Sequence, residues 1–179
     1  KDLSLSNDHK VNHIGNLKLN YKDKENLENN IKLIKKNKNY KVEGKSLNIN
    51  GIIENTLDSD DKKKLDFFNN NFKLDLNIKK IYLDENNIVN NLKGYFFLDN
   101  NKISELNLTS KFSNQKNIRL TVKSNGDEQI TTLFSSEAKP LVDRYKFIKG
   151  FNEGSLDFYS IKKNNSSKST LKIYNFKLK

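Results

Sequence analysis

A chain of 179 residues suits one domain, or one segment of a longer repetitive protein, and is long enough for a conventional core. Apolar residues supply only 34% of it and the mean hydropathy is −0.84, so a thick two-sided core is thinly provided for. The absence of cysteine excludes disulfides, thiolate nucleophiles and cysteine metal sites, while a net charge of +11 admits phosphate-bearing partners.

From the amino end, Leu3-Ser4-Leu5 and Leu17-Lys18-Leu19-Asn20-Tyr21 alternate with the period of two expected of half-buried strands. His9 to Asn16 between them reads as a polar turn ending near Gly15. Ile31-Lys32-Leu33 and Tyr40 to Gly44 form the next two expected strands, separated by a basic turn over Lys35 to Asn39. Ser46 to Leu57 is apolar in places. Asp58-Ser59-Asp60-Asp61 then favours a short helix through Leu65 and Phe68, because negative charge complements a helix amino end.

Phe72 to Ile78 is the cleanest strand of the first half, with every second residue apolar. Ile81-Tyr82-Leu83 continues it across an expected bulge at Lys79-Lys80. Strands follow at Ile88 to Leu92, Tyr95 to Leu98, Leu106 to Thr109 and Ile118 to Val122, with hairpin turns at Asp99 to Asn101 and Ser124 to Asp127. Ser136 to Lys149 reads as a helix. Pro140 is tolerated in its first turn, Leu141, Tyr145 and Ile148 form its apolar side, and Gly150 is its stop. Strands around Leu156 to Phe158 and Leu171 to Ile173 close the chain. This order predicts an antiparallel meander and not βαβ units.

Chemistry-bearing motifs are sparse. His9 and His13 stand four apart in a polar turn without a third ligand, and no metal site is expected. Asp58, Asp60 and Asp61 lack the glycine and distal Glu of a calcium loop. Ser124-Asn125-Gly126-Asp127 is not a nucleophile elbow, and the seven glycines stand singly, so no phosphate loop forms. No carboxylate pair is singled out for acid–base work. The chain is expected to be neither an enzyme nor a cofactor carrier.

The basic residues do not make a nucleic-acid signature either. Lysines are scattered, densest at 35–38 and 62–64, and only two arginines occur, Arg119 and Arg144. A Lys- and Asn-rich composition is what an A- and T-rich genome encodes. Aromatic residues from Tyr95 to Phe176 give the second half its character, and they suit a pleated, half-buried surface. No apolar run spans a membrane, and the chain opens on Lys1 without an initiator Met, which leads us to expect a fragment whose targeting segment lies upstream.

The stretches Leu92-Lys93-Gly94-Tyr95-Phe96, Ile103 to Leu108, Ile118 to Val122, Ser135 to Val142, Lys149 to Leu156 and Leu171 to Leu178 occur in a recognisable order. A Gly-led strand, a strand pair, a turn into a short helix, a Gly-Leu strand and a closing strand resemble the conserved region of the AsmA-like envelope protein family, in its YhdP-type branch. The match is best over 83–179 and looser over Tyr40 to Leu57. Glu153-Gly154 departs from the family's usual Gly-Gly, and Asn175 from its usual Asp.

The resemblance implies a mostly β fold: a long twisted antiparallel sheet forming an open, taco-like groove, with one or two short helices. It implies that residues 1–179 are one segment of a larger bridge-like lipid transfer protein in the Gram-negative periplasm, anchored to the inner membrane outside this segment. Phospholipid acyl chains would be the partner, together with envelope proteins. The expected groove face carries Leu74, Leu76, Phe96, Leu98, Leu106, Leu108, Leu120, Val122, Leu156, Phe158, Leu171 and Ile173. Two other readings are an extracellular or envelope β-rich structural or adhesive module with a closed core, and a basic nucleic-acid-binding domain.

Overall fold

The computed structural model describes residues 3–5, 7, 11–37, 39–50, 71–99, 102–145, 148–164 and 166–179. The expected helix after Asp58, His9 and the tip at Asn100-Asn101 lie outside them. Two short strands, β1 (Leu3–Leu5) and β2 (Val11–Ile14), pair with each other. The remaining ten are β3 (Asn16–Lys22), β4 (Glu28–Lys36), β5 (Asn39–Asn48), β6 (Phe72–Tyr82), β7 (Ile88–Asp99), β8 (Lys102–Phe112), β9 (Asn117–Asn125), β10 (Glu128–Ser135), β11 (Phe151–Lys163) and β12 (Ser166–Leu178). One helix, α1 (Lys139–Tyr145), stands between β10 and β11.

These ten strands lie side by side in chain order in one sheet that does not close, with β3 and β12 at its edges. Nine strand spacings of about 4.8 Å make it roughly 43 Å wide. The sheet is the expected twisted, largely antiparallel wall, with one exception. Strand β6 runs parallel to β5, with Tyr40 beside Leu74 and Val42 beside Leu76. A parallel neighbour cannot be reached by a tight turn.

Several elements differ from the sequence reading. Val11–Ile14 is a strand and not a turn, because its backbone pairs with β1. Strand β10 has no counterpart in the reading, since Gln129, Thr131 and Thr132 blunt its alternation. Strand β6 passes Lys79-Lys80 with its register to β7 unchanged. The shift falls one strand away, between Asn90 and Lys93 of β7 against β8, around Asn91 at φ 56°. Helix α1 is described over Lys139–Tyr145, inside the expected Ser136 to Lys149.

Gly94 holds the middle of the sheet at close quarters. Its φ is +143°, and a Cβ placed there would lie 1.9 Å from the carbonyl oxygen of Asn107. No side chain fits that gap.

Candidate functional site: an apolar trough

Because side chains alternate across a strand, cross-strand register decides which residues share a face. Leu17 lies opposite Leu33, Leu33 opposite Val42, Val42 beside Leu76, and Leu76 opposite Gly94. Gly94 faces Leu108, which faces Leu120; Leu120 faces Leu133, Leu133 faces Phe158, and Phe158 faces Leu171. One apolar row therefore crosses all ten strands, broken by no polar side chain. A glycine is its only gap.

Two flanking rows widen this stripe. Tyr40, Leu74, Phe96, Leu106 and Val122 form one, which turns polar at Thr131, Ser160 and Ser169. Ile118, Ser135, Leu156 and Ile173 belong to the other. Leu98 pairs with Phe72, two residues along β6 from Leu74. All twelve side chains expected on a common face thus share one. The opposite face is polar across the middle of the sheet: Asp75, Tyr95, Asn107, Thr121, Thr132, Tyr159 and Thr170 lie in register there. Lys73 pairs with Asp75 at 3.2 Å and sits over the Tyr95 ring, whose hydroxyl donates to Glu105 at 2.5 Å and is pushed above its usual range by that bond.

The trough has distinct ends. At one, Ile14 joins Tyr40, Phe72 and Leu98 in a buried cluster. At the other, Ala138 and Val142 bring α1 down onto Phe151 and Leu156 of β11. Val142 of the helix and Ala138 just before it are buried and Leu141 packs against the same cluster, whereas Ile148, expected on that side, is exposed. Two residues past Val142, Arg144 donates through Nη1 to the Leu83 carbonyl and through Nη2 to Asn50 Oδ1 at 2.7 Å. Leu83 directly follows β6, five strands from β11, or roughly 24 Å across a flat sheet. A short helix touches both because the sheet curls around its apolar face. Helix α1 thus links β11 to the end of β6.

A polar network fastens the same end. Asn29, fully buried, donates to Asp23 Oδ2 and to the Leu27 carbonyl, both at 3.0 Å, and its Oδ1 accepts from the Asn48 N–H at 2.7 Å. Asn48 Nδ2 donates to Asp23 at 2.8 Å and to Glu25 at 2.7 Å, and Asn50 Nδ2 reaches Glu25 at 3.1 Å. Desolvation works to raise Asp23, but hydrogen bonds from Asn48, Asn29 and the N–H groups of Leu27 and Glu25 outweigh it and hold the carboxyl below its ordinary 3.8. Sequence reading passed over this network, whose members lie in the β3–β4 turn, in β4 and at the end of β5 and carry no motif.

Other candidates gain nothing from the geometry. Among the described residues no three His, Cys, Asp or Glu side chains converge on a metal position. A depression of about 420 Å³ between β3, β4 and β5 is lined by Asn20, Lys22, Glu28, Asn30, Lys45 and Ser46 with Tyr21, a polar surface without a reactive pair. No described helix is long and apolar enough to cross a membrane. No protein-family model, curated protein or solved structure matches this chain.

Proposed function

We propose that this chain is a trough segment of an AsmA-like envelope protein, which shields phospholipid acyl chains as they pass between the inner and outer membranes. The observation that carries the reading is the apolar row from Leu17 to Leu171, which crosses ten strands with Gly94 as its only gap and is half-buried over most of its length. An acyl chain along such a row gains about 0.8 kcal/mol for each CH₂ taken out of water. Repeated Leu and Phe contacts without a polar anchor hold a chain without fixing its position, which suits passage. The sequence resemblance supplies the cargo and the periplasmic setting; the curled sheet supplies the shape. No catalytic step is part of this role.

Leu108 and Asn107 test it, since they are chain neighbours on opposite faces and both are half-buried. Leu108→Asp should raise outer-membrane permeability in the host cell, while Asn107→Asp should leave it unchanged. Equal effects of the two, with both proteins folded, would contradict the assignment.

One observation favours the second reading, a closed structural module. Ile78, Ile81 and Val89 are buried with Val42, Leu83 and Phe112, so part of the apolar face is already core. That reading expects no lipid to be captured at Leu108 in cells.

A further inference from the structure

Asparagine is followed by glycine twice in this chain, at Asn50-Gly51 and at Asn125-Gly126. In such a pair the glycine nitrogen can attack the side-chain amide carbon of the asparagine, because no Cβ obstructs the close approach. The two asparagines stand in different surroundings. Asn50 is half-buried and its amide is held at both ends: Nδ2 donates to Glu25 at 3.1 Å, and Oδ1 accepts from Arg144 Nη2 at 2.7 Å. To reach the next nitrogen, its side chain must give up hydrogen bonds to two charged partners.

Asn125 has no such hold. It ends β9, is exposed, and its amide has no hydrogen-bond partner among the described residues. Gly126 and Asp127 make up the whole loop, since Asn125 pairs with Glu128 across the hairpin. Gly126 takes a φ of 60° in the first place of this turn, a place that favours glycine. Its N–H makes no backbone hydrogen bond among the described residues, and nothing beyond its chain neighbours lies within 4 Å of where a Cβ would stand. Nucleophile and electrophile are adjacent, uncovered and unengaged.

We propose that Asn125 is a site of spontaneous deamidation in the folded chain, and that Asn50 is protected from the same reaction. The Gly126 nitrogen loses its proton to solvent and bonds to Asn125 Cγ; the Cγ–Nδ2 bond breaks and the amide nitrogen leaves as ammonia. Water then opens the cyclic imide at one carbonyl or the other, giving aspartate or isoaspartate, with nothing oxidised or reduced. Either product sets a new carboxylate beside Asp127 and Glu128. Isoaspartate also adds a methylene to the main chain. A loop of two residues fixes the register of its strands, so the pairing of residue 125 with Glu128 is lost. Strands β9 and β10 each have neighbours on both sides, so the reaction loosens a hairpin tip inside the sheet. Nothing in this chemistry depends on what the trough carries.

The test incubates the purified full chain at mildly alkaline pH, folded and in urea, and follows each asparagine by peptide mapping and by labelling with an isoaspartate-specific methyltransferase. In urea both sites should react at similar rates. In the folded chain Asn125 should react roughly tenfold faster than Asn50 or more, the scale of breaking one hydrogen bond to a charged group. Arg144→Ala, with folding verified by circular dichroism, should speed the reaction at Asn50 and leave Asn125 unchanged. Asn125→Gln should abolish the isoaspartate signal of the folded chain. Amide exchange at Glu128 should quicken as that signal grows in the native sequence and stay constant in Asn125→Gln. Equal rates at the two sites in the folded chain, reaction of Asn125 in urea alone, or an Asn50 rate unmoved by Arg144→Ala would each overturn the proposal.

Discussion

Strands β5 to β7 and strands β10 to β12 present the same apolar face, yet they treat it differently. In the first group Val42, Phe72, Ile78, Ile81, Val89 and Leu98 are buried, in two clusters fed from both ends of the sheet. In the second, the buried apolar residues are Leu156 and Phe151 beneath α1, and Leu171, Phe176 and Leu178 stay exposed. The stripe also narrows there, because Thr131, Ser160 and Ser169 replace the apolar row that ends at Val122. Alternation fixes which face is apolar. Whether that face becomes core or open surface is set by curvature and by what lies over it.

Substitutions can break or sharpen this contrast. The largest effect is expected at Gly94, where the backbone of β8 occupies the space a side chain needs. Gly94→Ala should cost more than about 3 kcal/mol in thermal or urea unfolding, the scale of a forced backbone shift. A small loss would mean that β7 and β8 approach less closely than described. Next, Ile78→Ala should cost about 3 kcal/mol, because a fully buried side chain leaves a cavity. Leu171→Ala should cost less than about 1 kcal/mol, since much of that side chain is already in water. Equal losses at the two sites would erase the distinction between the two groups of strands.

Removing the latch between these regions comes third. Arg144→Ala deletes the donors that α1 presents to Leu83 and Asn50 and leaves those acceptors in a partly buried place. A loss of about 2 kcal/mol is expected, with faster amide exchange in Lys139 to Tyr145. Exchange unchanged in the helix would show that Ala138 and Val142 alone hold it.

The smallest effect is a dependence on pH. Asp23 is depressed in the folded state, so its contribution is present above its ordinary 3.8 and is lost as pH falls through the lower folded value. The turn between β3 and β4 should loosen over that acid range, read as amide exchange at Glu25 and Leu27. Asp23→Asn should remove this acid dependence; its persistence would assign the effect to another carboxylate.

The parity of the sheet was legible because it is local. Phe72 to Ile78 alternates over seven positions, and the same rule placed all twelve apolar candidates on one side. What the alternation could not convey is who sits beside whom. The parallel pairing of β5 with β6 depends on a long-range crossover, and no residue in either strand announces it. Strand β10 escaped notice because Thr131 and Thr132 leave Leu133 nearly alone. The packed side of α1 was legible only at Leu141: its buried members are Val142 and Ala138, which precedes the helix, and seven residues are too few for a periodic stripe to be decisive. The link that α1 makes across the curl rests on Arg144 reaching a carbonyl sixty-one residues away in the chain.

Photo-crosslinking in the native host, with a photoreactive residue placed at Leu108 or at Asn107, tests the central claim most directly. Capture of phospholipid at Leu108 and not at Asn107 is the predicted result. Capture at neither position, with both proteins at normal abundance, would contradict it and leave the apolar face as the core of a structural module.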